Sequence, residues 1–137
     1  MSWEHLPIFV YGTLQRGESR GGCWPRAARC VERATTRARL YDLGKYPAIL
    51  PGDDRVLGEL WHLAPDDMEV TLAALDQIEC FGGQDDDLYV RRIVDCETSS
   101  GQIVRAYAYF LAKPVELGGA RVVTPGEAGH CHWTGSK

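Results

Sequence analysis

The sequence carries no excess of positive charge, no long apolar run and no cysteine framework, and each absence removes a class of function. Lysine and arginine number 15 against 19 aspartates and glutamates, a formal net charge of −4. That balance argues against a protein that binds nucleic acid by neutralising phosphates. No apolar stretch approaches the ~20 residues of a membrane-spanning helix. The start, Met1-Ser2-Trp3-Glu4-His5, lacks the basic and apolar regions of a signal peptide. A cytoplasmic protein acting on neither nucleic acid nor membrane is therefore expected. The five cysteines (Cys23, Cys30, Cys80, Cys96, Cys131) are odd in number and widely spaced. This suits reduced thiols rather than a disulfide scaffold.

What is present is ordinary globular composition, 45% hydrophobic and 25% charged. A length of 137 residues fits a single domain over 1–137 that can bury its own core. Leu6-Pro7-Ile8-Phe9-Val10 reads as a buried first strand, stopped by Tyr11-Gly12-Thr13. Residues 15–22 are polar and glycine-rich, a loop. Residues 31–40, with scattered arginines, read as an exposed strand. Leu43-Gly44-Lys45-Tyr46-Pro47 reads as a loop and Pro51-Gly52-Asp53-Asp54 as a turn. Residues 55–63 alternate, with Val56, Gly58, Leu60 and His62 on one side and Leu57, Glu59, Trp61 and Leu63 on the other.

Pro65-Asp66-Asp67 then opens a helix, with proline early and acids facing the positive end of the dipole. The helix is predicted to run to about Glu79 and to stop near Gly82-Gly83. Residues 88–96 and 102–111 form two more strands, joined by the hairpin turn Thr98-Ser99-Ser100-Gly101. The tail, from about residue 115, is glycine-rich and reads as loosely packed. One helix among many strands predicts an α+β domain with a mostly antiparallel sheet curled into a barrel.

One residue conflicts with its surroundings. On a helical wheel Met68, Leu72 and Leu75 form a narrow apolar stripe, and Glu79 lies about 20° from Met68. Asp76 points away from that stripe, as a solvated residue does. A carboxylate on an apolar face needs donors or a proton. Desolvation and a helix C-terminus both raise its pKa, into the range useful to a general acid/base. The bland alternative is a helix that frays early and leaves Glu79 at the surface. Tyr11-Gly12-Thr13-Leu14 is a second candidate, because a glycine-containing turn after a strand presents backbone N–H groups with little cover. It reads equally as an ordinary turn.

The ordered set of segments resembles the gamma-glutamylcyclotransferase-like family. Phe9-Val10-Tyr11-Gly12-Thr13-Leu14 looks like that family's first strand and substrate loop. Leu43-Gly44-Lys45-Tyr46-Pro47 is similar to its Gly-x-Tyr-Pro segment, and Gly58-Glu59-Leu60-Trp61 to the strand before the helix. Leu75-Asp76-Gln77-Ile78-Glu79 is similar to the segment ending in the catalytic glutamate. Tyr89-Val90-Arg91 resembles the Tyr-x-Arg that follows, and Ala106-Tyr107-Ala108-Tyr109 the last core strand.

The resemblance implies a small β-barrel with packed helices and an intramolecular aminolysis without cofactor or metal. The α-amine of a γ-glutamyl amine or peptide attacks its own γ-carbonyl, releasing 5-oxoproline and a free amine. Glu79 is then the general acid/base. Tyr11, Gly12, Thr13, Leu14, Tyr46 and Tyr89 are then the substrate-binding residues, and the partner is a small γ-glutamyl molecule. The alternative is a non-catalytic small-molecule binding module on the same scaffold.

Other features stay open at this level. Tyr89 and Arg91 share a strand face and either orient Glu79 or the substrate, or serve as a packing tyrosine and a surface arginine. The glycine position common after the glutamate holds Cys80. The nine residues 80–88, with Asp85-Asp86-Asp87, separate Glu79 from Tyr89. They form either an acidic rim favouring a cationic substrate or a solvated charge run. His130-Cys131-His132 has no matching second ligand pair for zinc.

Overall fold

A computed structural model of the chain describes residues 6–12, 14–15, 22–42, 47–78, 89–111, 121–126, 129 and 131–133. Its strands are β1 (Ile8–Val10), β2 (Cys30–Asp42), β3 (Pro47–His62), β4 (Tyr89–Thr98), β5 (Ile103–Leu111) and β6 (Arg121–Val122). One helix, α1 (Met68–Ile78), follows a 3-10 turn at Pro65–Asp67.

The hydrogen-bonded order is β3-β1-β5-β4-β2-β6, with β2 also paired to β3. That extra pairing closes five strands into a barrel and leaves β6 attached outside the ring. Ala34, Thr35 and Thr36 sit at the closure, facing Gly58, Leu57 and Val56 of β3 on one side and Thr98, Glu97 and Cys96 of β4 on the other. Every pairing is antiparallel except β1 with β5. The α+β, mostly antiparallel barrel expected from the sequence is the observed fold.

Two apolar cores follow from strand alternation. Phe9, Tyr11, Ala34, Ala38, Leu40, Val56, Leu60, Ala106, Ala108 and Phe110 fill the barrel. Alanines opposite large rings let so narrow a barrel pack without voids. Gly58 belongs to the same fit, since a Cβ there would lie 2.7 Å from the Phe9 ring. The alternate residues of the same strands, Ile8, Val10, Tyr107, Tyr109 and Leu111, face outward into a second core with Trp61 and Tyr89. Met68, Leu72 and Leu75 of α1 cover it, which is the stripe read from the helical wheel.

Three sequence expectations are corrected. The strand read as exposed over residues 31–40 buries Ala34, Thr36, Ala38 and Leu40, because its arginines alternate with small residues that face the barrel. The turn expected at Pro51-Gly52-Asp53-Asp54 does not end a strand. It is an irregularity within the long β3, where Arg39 pairs with Leu50 but Ala38 with Asp54. In the tail, Val122 pairs with Tyr41. Cys131 bridges to Val56, and Cys131 and Trp133 are buried in the barrel core. The hairpin at residues 98–101 is as expected, with Gly101 at φ +85°.

Thr71 shares the buried face of α1 and is 0% exposed, yet its Oγ1 finds no partner among the described residues. Replacing an unsatisfied buried hydroxyl by a methyl of the same shape removes a desolvation penalty. Thr71→Val is expected to stabilise the fold by about 1 kcal/mol, read as a rise in Tm of a few degrees in thermal denaturation.

Candidate functional site

The loop after β1 is tied down from three directions. Alternation along β1 turns Tyr11 into the barrel, where its hydroxyl donates to the Tyr109 carbonyl at 2.7 Å. Gly12 carbonyl accepts from the Gln15 backbone N–H at 3.1 Å and from Gln15 Nε2 at 3.3 Å, so the turn closes on itself. Leu14 carbonyl accepts from the Trp24 indole N–H at 3.0 Å. Trp24 in turn lies flat on Trp61 of β3, ring centroids 4.0 Å apart and planes within 1°.

Gly12 also abuts the start of β3. A Cβ at this position would stand 2.6 Å from Pro47 Cγ and 2.8 Å from Cδ. The proline ring cannot swing aside, so only glycine fits. Pro47 carbonyl accepts from the Tyr89 hydroxyl at 2.7 Å, a buried bond. Of four residues singled out from the sequence, Gly12 and Tyr89 thus meet at Pro47, Tyr11 is held at the Tyr109 carbonyl, and Leu14 at Trp24. Each phenol has a single proton, and both phenols spend it on backbone. Tyr11 and Tyr89 therefore brace and wall the loop. Thr13, Tyr46 and Glu79, the other candidate residues, lie outside the described residues, as do residues 80–88 and His130.

A second cluster forms at the end of α1. Asp76 is not the solvated residue that the sequence reading expects. It accepts from the Tyr109 hydroxyl at 2.6 Å and pairs with the Arg91 guanidinium. About 80° from Met68 on the wheel, it lies on the flank of the buried stripe, within reach of β4 and β5. Arg91 and Tyr109 are direct cross-strand neighbours, and the guanidinium also lies 5.5 Å from the centre of the Tyr107 ring.

The electrostatics are consistent with a fixed ionic arrangement. Burial works against the charge of Arg91, but the hydrogen bond and charge of Asp76 outweigh it and raise its pKa above the ordinary value. Burial, with the bond and charge of Asp76, pushes the Tyr109 phenol up as well, so it stays a donor. Arg91 was left open between a surface and a positioning role, and its contacts decide against the surface. Asp76, Tyr109 and Trp24 were missed as site residues. A usable signal existed for Asp76: an acid near the negative end of a helix whose last turn holds no basic residue.

Other chemistries find less support. Cys96 is buried, and burial pushes its thiol up to about 12, far from a reactive thiolate. Cys131 is buried too and donates to the Val123 carbonyl at 3.1 Å. Cys23 and Cys30 are exposed and free. Among the described residues no group of three or more His, Cys, Asp or Glu is placed to hold a metal ion. Nor is any helix among them long and apolar enough to cross a membrane. Two shallow hollows, of about 450 and 290 Å³, lie around Arg55 of β3 and Glu97 of β4. They share no residue with the loop or the α1 cluster.

Comparison with known proteins shows the family and the fold. The family described as "Gamma-glutamyl cyclotransferase, AIG2-like" matches residues 8–133. A gamma-glutamylcyclotransferase family protein, YtfP, of Citrobacter rodentium is 31% identical over 111 residues, 81% of this chain and 86% of that protein. The gamma-L-glutamyl-butirosin B gamma-glutamyl cyclotransferase of Niallia circulans is 29% identical over 93 residues, 67% of this chain and 57% of that protein. The crystal structure of an AIG2-like protein from Mus musculus superposes with a TM-score of 0.63 at 21% identity, covering 96% of this chain and 97% of that one. That likeness shows the shared fold.

Two outcomes are expected. Gly12→Ala forces its methyl against the Pro47 ring and lowers stability by about 1–3 kcal/mol, measured by denaturant titration. The double variant with Pro47→Ala recovers part of the loss, because the clashing ring is gone. Second, Tyr109 and Cys96 both have folded pKa values raised above their unfolded ones. Their stabilisation is complete below the ordinary values of about 8.5 for the thiol and about 10 for the phenol, and is lost as pH rises past them. Stability is expected to fall on the alkaline side, and less steeply in Tyr109→Phe, as followed by Tm against pH.

Proposed function

We propose a reaction for this chain on one premise: it belongs to the gamma-glutamyl cyclotransferase, AIG2-like family. The reaction is cyclisation of a γ-glutamyl amine or peptide. The substrate's α-amine attacks its own γ-carbonyl, the new ring C–N bond forms, the amide C–N bond breaks, and 5-oxoproline and a free amine leave.

The observation that supports this reading is the match over residues 8–133, combined with a loop held at Tyr11, Gly12 and Leu14 by buried and part-buried bonds. Such a loop is rigid before substrate arrives, which lowers the cost of orienting it. The nucleophile is tethered to its electrophile, so the protein's main task is to hold one reactive conformer.

Glu79 is the proposed general acid/base. An α-ammonium group with a pKa near 8 is largely protonated at neutral pH and must lose a proton before it attacks. The departing nitrogen must gain one, because an amide anion leaves poorly. A single carboxylate within reach of both nitrogens can take the first proton and return it to the second. Backbone N–H groups of the loop at residues 12–14 hold the glutamyl end, and Tyr46 and Tyr89 wall it. The butirosin relative supports including natural-product intermediates among the substrates.

The test is 5-oxoproline release from a panel of γ-glutamyl amines, γ-glutamyl peptides and γ-L-glutamyl-butirosin B. At least one is expected to react, and Glu79→Gln is expected to lower kcat by at least about a hundredfold. Release from none overturns the reaction and leaves a binding module on the same scaffold. Full activity in Glu79→Gln overturns the role given to Glu79.

A further inference from the structure

We infer that Tyr109, with Asp76 and Arg91, is a positioning device that fixes the end of α1 relative to the loop after β1. This rests on the proposed cyclotransferase reading and adds to it three residues that act through others. None of the three is a catalytic residue.

One strand position serves both halves of the candidate site. The backbone carbonyl of Tyr109 takes the Tyr11 hydroxyl at 2.7 Å. The side chain of the same residue gives its proton to Asp76 at 2.6 Å. Tyr11 begins the loop, and Asp76 lies on the last turn of α1, three residues before Glu79 in the chain. A shift of β5 at this position therefore moves the loop anchor and the helix anchor together. Arg91 completes the arrangement from the neighbouring strand, paired with Asp76 and stacked near Tyr107. Two residues earlier on the same strand, Tyr89 holds Pro47, against which Gly12 rests.

The chemistry of the cluster argues for placement rather than general stability. The negative end of a helix disfavours an acid. Asp76 occupies that end, and α1 has no basic residue in its last turn to offset it. The offset comes from another element, Arg91 of β4. Helix ends fray, and their last carbonyls lack partners within the helix. A carboxylate gripped by a guanidinium and a phenol from two strands stops that fraying at one chosen point. Local preference has been overridden where the chain enters the proposed acid/base residue, the pattern expected at a functional position.

The experiment compares steady-state kinetics of 5-oxoproline release, Tm and amide hydrogen exchange in the wild type, Tyr109→Phe, Asp76→Asn, their double variant and Arg55→Met. Tyr109→Phe removes one hydroxyl and keeps the backbone carbonyl that Tyr11 uses. It is expected to lower kcat by about 10- to 100-fold, with KM changed by less than about threefold. Exchange should quicken at the amides of residues 75–78. The double variant should lose less than the two single losses combined, since both substitutions act on one cluster and share the Tyr109–Asp76 bond. Arg55→Met breaks a more exposed ion pair between β3 and β4, 2.8 Å long, that involves neither the loop nor α1, and should leave kcat unchanged.

An unchanged kcat in Tyr109→Phe overturns the inference. So does a loss shared with Arg55→Met, or one carried by KM alone. If the wild type releases no 5-oxoproline, the reaction reading fails by itself. Exchange then decides the rest: quickening confined to the end of α1 sustains the tether, and unchanged exchange overturns it.

Discussion

The fold depends on one constraint, the double pairing of β2. Its residues Ala34, Thr35 and Thr36 bond β3 along one edge and β4 along the other. Without that overlap the five strands form an open sheet with exposed edges, which natural sheets avoid. With it they form a ring too narrow for large side chains at every inward position. The inward residues at the closure and across from it are accordingly small: Ala34, Ala38, Ala106 and Ala108. Larger side chains, among them Phe9, Tyr11, Leu40, Leu60, Phe110 and Trp133, occupy the remaining space. The Thr36 hydroxyl, also turned inward, is satisfied by the Asp95 carbonyl at 2.8 Å.

Closure has a second effect. A ring buries only half of each strand's side chains, so the outward half must find another cover. On β1 and β5 that half is apolar, and α1 supplies the cover. The same alternation that sends Phe9 inward sends Ile8 and Val10 toward the helix. On β5 the outward residues are Tyr107, Tyr109 and Leu111. A tyrosine on such a face has an apolar ring to bury and a hydroxyl to satisfy. Tyr109 does both, its ring under α1 and its proton on Asp76. The polar cluster at the helix end thus follows from the barrel's geometry.

Much of this was legible in the sequence, and the limits have physical causes. The alternation of residues 55–63 and the Met68–Leu72–Leu75 stripe each express a local rule, and each survives in the fold, while the proline and acids expected to open α1 form the 3-10 turn before it. The inward face of β2 was not legible, because alanines and a threonine between arginines carry little hydrophobic signal. They are buried by closure, a property of the whole ring. The irregularity at Pro51–Asp53 looked like a turn because Pro-Gly-Asp-Asp is turn chemistry. Only the partner strand shows that the chain carries on past it. Asp76 was misread for a similar reason. A wheel gives direction relative to a helix axis, but not which strands stand on the flank. Of the named site residues, Gly12 and Tyr89 meet at Pro47, Tyr11 is held at Tyr109 and Leu14 at Trp24, and these connectors emerge only in three dimensions.

The connectors bear on what the site has to recognise a substrate with. Among the described residues three tyrosine protons near the loop are committed: Tyr11 to Tyr109, Tyr89 to Pro47, Tyr109 to Asp76. The indole protons of the stacked pair are committed too, Trp24 to Leu14 and Trp61 to Glu59 at 3.1 Å. Three of these donors hold backbone carbonyls and two hold carboxylates, and turning a buried one to a ligand leaves its acceptor unpaired, a loss of about 1–3 kcal/mol. The main-chain groups of the loop are placed by the bonds that grip them. That is why a single methyl at Gly12 matters. It displaces the ring of Pro47, whose carbonyl holds Tyr89, and the disturbance passes into the wall of the site without any change in its functional groups.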